Sequence, residues 1–442
     1  MTTPLQLRFA NHSQVPADTP IWIGLVPGSQ AAMQVHDAAT GAALLPVNQG
    51  GSYPRAGNWY ALSGLSQGLS IEAFSGRVYV CYGMPWTVQG AGYEPAQTPA
   101  DPNFLLRYDK LELTYTGSAS DVANLTSIDY WAIPMSLQAT RDGAATGAPV
   151  LGLLGGITAQ QMADALSALT TPPVSGLAGA VPARVPTDPG AGQGFARVIG
   201  PSSYPPVFPP PGGRPLTPFN LLQGYLQTLL ARFGPGTARG ASLPMLGGGV
   251  VALLGGQFAG VGPNVPPTGP QAQQAYALYA CIDADCNLTL RGQASAVGDI
   301  QMHYACQDLL NPHGMHGGDA PFSLNGGPLA APGNDVYGWI AGDLFAGLNI
   351  GAVGSPVKPA GAAMPVGAWR SEDWFKLPVS QFFAGLQPHS PVLAWNAWAA
   401  TLAARSQAYN FAYTDRFAPV FVSLNPAMVN GLLVTLEPAT VA

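Results

Sequence analysis

Hydrophobic and polar positions change rhythm twice along the chain. In the first part they alternate. "LQLRFANHS" puts Leu5, Leu7 and Phe9 on one face, "IWIGLVPG" is a short apolar run, and "GRVYVCYG" is rich in β-branched and aromatic residues. "KLELTY" alternates again, with Leu111, Leu113 and Tyr115 on one face and Glu112, Thr114 and Thr116 on the other. Period-two runs separated by Gly, Pro and Asn turns predict strands, and a series of them predicts a sandwich or barrel.

After about Gln138 the rhythm becomes helical. "GITAQQMADALSALTT" predicts a helix capped by Thr158, with Gln161 three residues on as the other half of a capping box. "PSSYPPVFPPPGGRPLTP" reads as an extended tether or ordered loop. "TPFNLLQGYLQTLLARFG" predicts a helix capped by Thr217, with Pro218 at its first position and Gly234 as its stop. "NDVYGWIAGDLFAGLNIG" and "HSPVLAWNAWAATLAARS" predict two more, the latter opening on Ser390 and Pro391. The tail returns to strand-like patterns in "AYNFAYTDRFAPVFVSLNP" and "GLLVTLEP". A chain that runs β, then α/β, then β predicts an inserted domain. Residues 1–138 together with 408–442 are expected to form a β domain, and residues 139–407 a mixed α/β domain with a wide groove against it.

Composition narrows the partners. Of 442 residues, 47% are hydrophobic and 9% charged, against roughly 25% charged in an ordinary soluble domain. No apolar run reaches the roughly 18 residues a membrane helix needs, so no membrane partner is expected. The net charge is −6, with lysine at Lys110, Lys358 and Lys376 alone. That leaves no basic footprint for nucleic acid, while a neutral, hydroxyl-rich polysaccharide fits the balance. "MTTPLQLRF" carries no charged or apolar leader.

In so uncharged a chain, two acids bracketing a polar run stand out. Glu112 lies on the polar face of its strand, and Asp129 opens "DYWAIP" after Thr114, Thr116, Asn124 and Thr126. A carboxyl held protonated and a carboxylate held ionised are the minimal equipment of glycoside hydrolysis. A solvated sheet face and a turn-capping Asp are the plainer reading of the same residues. Thr126 and Asp129 have opposite parity on an ideal strand, so a bend near Ser127 is required for both acids to face one ligand. Tyr82, Trp86, Tyr130 and Trp131 flank the stretch as sugar-stacking platforms or as core.

The pieces "SGRVYVCYG", "ELTYT", "NLTSIDYWAIPMSL" and "YNFAYTDRFAPVFVSLNP" occur in an order that resembles the thaumatin-like β-1,3-glucanases of glycoside hydrolase family 64. The resemblance covers the N-terminal β region and the tail, and the middle only loosely, through "YGWIAGDLFAGLNIG". It implies Glu112 as general acid and Asp129 as general base of an inverting mechanism. The product would be short laminari-oligosaccharides, released from the non-reducing side. It implies sugar contacts at Thr114 and Thr126, and Thr116, Asn124, Tyr82, Trp86, Trp131, Tyr413 and Asp415 are the further candidate contacts around them. Thr116 stands where the family usually has Asn, and "YTD" (Tyr413 to Asp415) where it has Tyr-Asp-Asp. It further implies no cofactor, an extracellular or periplasmic location, and a monomer. A catalytically silent glucan-binding protein, and a structural or toxin-like protein keeping the fold, are the alternative readings.

His303, Cys306, His313 and His316 with Cys281 and Cys286 lack a paired-ligand pattern, so no metal is expected. Their spacing favours a Cys281–Cys286 or Cys286–Cys306 disulfide instead, with Cys81 apart. The glycines of "MLGGGVVALLGGQ" have no phosphate-loop lysine, which argues against nucleotide binding.

Overall fold

The structure is a computed structural model of the chain. It describes residues 3–28, 32–170, 182–187, 194–205, 219, 221–235, 237, 249–258, 274–295, 297–333, 335–363, 366, 369–383, 395–417 and 420–438. The longer strands of the first part are β1 (Leu5–Asn11), β2 (Ile21–Pro27), β3 (Gln34–Asp37), β4 (Leu69–Tyr82), β5 (Arg107–Tyr115), β6 (Val122–Leu125) and β7 (Met135–Arg141). Helices α1 (Ala159–Ser167) and α2 (Leu221–Phe233) follow. Then come β8 (Gly249–Phe258), β9 (Gln274–Ile282), β10 (Leu288–Ala294), β11 (Gly298–Tyr304), β12 (Phe322–Leu324) and β13 (Leu329–Ala330). Helices α3 (Val336–Ile350), α4 (Ser371–Trp374) and α5 (Ala397–Ala403) lead to β14 (Phe421–Ser423) and β15 (Gly431–Leu436).

The first strands and the last two share one sheet, whose path includes β7–β15–β1–β4–β5–β6–β14. β15 fits between β7, antiparallel, and β1, parallel. Alternation dictates which residues face the core. Leu5, Leu7, Ile71, Val78, Val80, Leu111, Leu113, Leu137, Leu432 and Val434 all close on one hydrophobic cluster. Strand β4 curls the sheet, because its first half pairs β1 and β3 while its second half pairs β2 and β5. Gly76 lies in the second half, opposite Pro27, where a Cβ would come within 2.3 Å of the Val26 carbonyl oxygen. Gly76→Ala is expected to push β2 off β4 and cost about 1–3 kcal/mol, as overpacking does. A thermal melt checks it, and an unchanged Tm would show that the strands slide apart freely.

The middle of the chain builds its own antiparallel meander, β8 to β13 in sequence order. Leu288, Leu290, Ile300, Met302 and Tyr304 turn to one side of it by period two and meet α3. That helix is apolar almost all round and buried along nearly its whole length, as a helix inside a core must be. A third cluster joins α1 and α5 to a small sheet of Tyr130–Trp131, Arg197–Ile199 and Arg184–Val185.

Most sequence expectations coincide with these elements. The α1 capping box is present both ways: Gln161 N–H donates to Thr158 Oγ1 at 3.0 Å and Thr158 N–H to Gln161 Oε1 at 2.8 Å. Thr217, Pro218, Ser390 and Pro391 lie outside the described residues. Helix α5 starts at the Asn396 cap, whose Oδ1 accepts from Ala399 N–H at 3.1 Å. The tail departs from the strand pattern. Among the described residues there, only Phe421–Ser423 and Gly431–Leu436 are strands, and Thr414–Arg416 is a 3₁₀ turn. Tyr413 takes a left-handed φ of 71°, and Thr414 Oγ1 accepts from Phe411 N–H at 3.0 Å. Such local side-chain bonds compete with a ladder and win. The expected disulfide is also absent: Cys81, Cys281, Cys286 and Cys306 are buried thiols. Each is absorbed by packing, as a small apolar side chain is.

Candidate active site

Strand β5 offers two faces. Leu111, Leu113 and Tyr115 are fully buried behind it, and Lys110, Glu112 and Thr114 project from the other side. Register across the sheet sets Arg77 of β4 and Asn124 of β6 opposite Glu112, and Ser75 and Val122 opposite Thr114. Asn124 Nδ2 donates to Glu112 Oε2 at 3.3 Å, and Ser75 and Thr114 share a hydroxyl bond of 2.9 Å. Arg77 lies 3.8 Å from Glu112 Oε1, but its Nη1 is committed to both oxygens of Glu94, at 2.7 and 2.9 Å. Tyr79 also donates to Glu94. The Glu112 side chain keeps 42% of its surface in solvent, so it is the accessible acid of this row.

Asp129 reaches the same face by leaving the strand. The chain bends at Ile128 and Asp129, which answers the parity requirement near Ser127. Ser127 N–H donates to Tyr409 O at 2.8 Å, and Trp398 Nε1 donates to Ser127 O at 2.8 Å. Gly200 N–H donates to Asp129 O at 2.7 Å. The carboxylate is then gripped from both sides. Lys110 Nζ pairs with Oδ2, while the Ser202 and Ser203 hydroxyls donate to Oδ1 at 3.3 and 3.2 Å. Lys110 is 5% exposed and stands 4.9 Å from the centre of the Tyr130 ring. Burial pushes the Asp129 carboxyl up, but the Lys110 ammonium and the Lys110 and Ser203 hydrogen bonds outweigh it and bring it down to about 2. Asp129 therefore stays ionised, and a third of its side chain remains open.

Asp109, next to Lys110, turns inward and fixes the chain beyond the bend. It accepts backbone N–H bonds from Ala132 at 2.8 Å and Ile133 at 2.9 Å. Burial pushes its carboxyl up to about 6, against those hydrogen bonds.

The remaining sequence candidates scatter. Thr116 belongs to the β5–β6 turn, where its Oγ1 donates to Asp121 at 3.0 Å. Thr126 is buried and bridges Tyr409. Asp415 accepts from the Tyr409 hydroxyl, and Tyr413 packs beside Gly318 and Gly342. Tyr82, Trp86 and Trp131 are 5%, 1% and 2% exposed, which corrects their reading as platforms. Trp86 meets Tyr79 edge-on at 4.4 Å and Trp131 stacks on Phe195 at 6.2 Å, so their faces are spent on the core. Phe421 is half-buried, in register with Asn124, and opens on a cavity of about 790 Å³ that also meets Asn410, Ser423 and Asn425. Among the described residues no three His, Cys, Asp or Glu side chains converge as metal ligands. Burial holds His316 down at about 3.

Sequence reasoning missed Arg77, Glu94, Ser202, Ser203 and Tyr409, and left Lys110 without a role. Scarcity was the available signal for two of them. Glu94 is one of the few glutamates and Lys110 one of three lysines, and a buried lysine demands a partner.

Residues 3–174, which include this sheet face, match the sequence model of glycoside hydrolase family 64. The description of that family is β-1,3-glucanase. The fold is similar to that of a laminaripentaose-producing β-1,3-glucanase in complex with laminaritetraose. That likeness has 15% identity and a TM-score of 0.54, and covers 99% of this chain and 100% of the other. It is similar also to a family 64 β-1,3-glucanase domain from Clostridium beijerinckii, at 13% identity and TM-score 0.51, covering 98% of each chain. No curated protein sequence is significantly similar to the chain.

Proposed function

We propose that the protein hydrolyses β-1,3-glucan to short laminari-oligosaccharides, with Glu112 as general acid and Asp129 as general base of an inverting reaction. The observation that carries this reading is the contrast between the two carboxylates on one sheet face. Asp129 is locked in the ionised form by Lys110 and the two serines, as a base that activates water requires. Glu112 is the accessible acid, bound by one amide at 3.3 Å. Lys110, which anchors Asp129, and Glu112 are two residues apart on β5, about 7 Å along a strand. An inverting enzyme needs its two carboxyl groups roughly 6.5–9.5 Å apart, which leaves room for a water.

In the reaction, the Glu112 proton passes to the glycosidic oxygen as that bond to the anomeric carbon breaks. Asp129 takes a proton from the water that attacks the opposite side of the same carbon. Thr114 and Asn124 supply hydroxyl and amide contacts for the glucosyl units on that side of the sheet. The thaumatin-like β domain (1–138 with 408–442), the inserted domain (139–407), the groove between them, a secreted location and a monomeric state belong to the same proposal.

Incubation with laminarin or curdlan tests it. Laminari-oligosaccharides are expected, and their first-formed anomer, read by proton NMR, should be α. Binding without release favours a silent glucan-binding protein. A β-anomer leaves the hydrolysis standing and overturns inversion.

A further inference from the structure

A second buried charge cluster lies behind the tail turn, away from the two proposed acids. Asp343 of α3 is fully buried. Its Oδ2 accepts from Tyr276 Oη at 2.8 Å and from Ser371 Oγ, and its Oδ1 pairs with Arg416. Arg416 also donates through Nη2 to Trp339 O at 2.8 Å, and its guanidinium stacks 4.0 Å from the Trp339 ring centre. A buried ion pair is no better for stability than apolar side chains of like volume. Arginine's planar fork, however, fixes direction as a point charge does not.

What the pair holds is the turn from Tyr409 to Arg416. Tyr413 adopts its left-handed backbone between two glycines that make room for it. A Cβ on Gly342 would lie 2.7 Å from Arg416 Nη2 and 2.9 Å from Tyr413 Cε1, and one on Gly318 2.9 Å from Tyr413 Cε2. A non-glycine residue in that conformation is held there by its surroundings. At the other end of the turn, Tyr409 N–H donates to Leu125 O at 2.7 Å and Tyr409 O accepts from Ser127 N–H at 2.8 Å. The Tyr409 hydroxyl closes the loop on Asp415, the residue before Arg416. One continuous set of contacts thus runs from Asp343 through Arg416, Asp415 and Tyr409 to Ser127, two residues before Asp129.

We propose that Asp343 and Arg416 are positioning residues for the carboxylate face, setting the bend that presents Asp129 from the position of α3. The proposal rests on the hydrolase reading of Glu112 and Asp129. It ties the meander and α3 to the chemistry without any of their residues touching substrate.

The test compares wild type, Arg416→Lys and the double variant Asp343→Leu/Arg416→Met, which leaves no buried charge unpaired. Each is measured for laminarin kcat and KM, Tm, and hydrogen exchange of the Ser127 and Tyr409 amides. A positioning role predicts kcat lower by about tenfold in both variants, KM within about twofold, and faster exchange at those two amides. A merely structural pair predicts kcat and local exchange unchanged in whichever variant folds, and that result overturns the proposal. Should the double variant fail to fold, Arg416→Lys decides the question alone. A wild type that releases no sugar sinks the hydrolase reading, while the exchange measurement still decides whether the pair sets the bend.

Discussion

Glu112→Gln is expected to lower kcat on laminarin by roughly 10²–10⁴, the range that a positioned acid or base contributes, while oligosaccharide binding survives. The substitution keeps size and shape and removes the transferable proton. It should not unfold the sheet, because the Glu112 side chain keeps 42% of its surface in solvent and is held by a 3.3 Å bond from Asn124 and a 3.8 Å contact with Arg77. Leu111 and Leu113 anchor β5 from behind irrespective of what stands at 112. Asp129→Asn should lose activity to a similar degree, but less cleanly. It removes the partner of a nearly buried lysine, so Tm falls as well. Glu112→Gln with full release of sugar would end the assignment of that residue, whatever the second variant does.

Lys110→Met should move the acid limb of the pH profile. In the wild type Asp129 is held at about 2 against an ordinary 3.8. Remove the ammonium, and burial loses its strongest opponent, leaving the Ser203 hydrogen bond and the Arg77 charge against it. The acid limb of kcat/KM is then expected to rise by roughly one to two pH units, the size of shift one adjacent opposite charge produces. The same substitution changes stability in a pH-dependent way. A carboxyl depressed by folding adds stability above its unfolded value, and loses that contribution as pH falls from about 3.8 through about 2. The variant should therefore lose stability relative to wild type at pH 5 and approach it near pH 2. Matched pH–rate profiles and melts at the two pH values check both statements. An unmoved acid limb would mean that a different group governs it.

Much of the site was readable because β5 obeys period two. Once Leu111, Leu113 and Tyr115 are assigned to the core, Glu112 and Thr114 have nowhere to point but outward. The need for a bend before Asp129 was also legible, since parity forbids the alternative. What supports Asp129 was not. Ser202 and Ser203 sit in a proline-rich passage that patterns as a tether, and they meet Asp129 across more than seventy residues. Glu94 likewise reaches Arg77 from a loop 17 residues on, a meeting that local pattern does not encode. The aromatic residues misled for a general reason. Tyr82, Trp86 and Trp131 have the chemistry of sugar platforms and of core alike, and only the packing of Arg107, Tyr79, Tyr108 and Phe195 around them decides which. The tail turn was taken for strand because Tyr and Phe favour strands, while Thr414 bonding to its own backbone neighbourhood is invisible to that preference.

The place of β15 bears on how the protein is made. Residues 431–436 fill the slot between β1 and β7, so during synthesis those two strands wait for a partner almost three hundred residues away from the later of them. Until the ribosome has delivered it, each presents a bare edge of unpaired amides and carbonyls beside the apolar residues that will become core. The meander from β8 to β13, whose partners are neighbours in sequence, can form meanwhile. Nascent chains stalled before Gly431 are therefore expected to recruit holding chaperones or aggregate through the N-terminal region. Release of the last strand converts that liability into a continuous sheet.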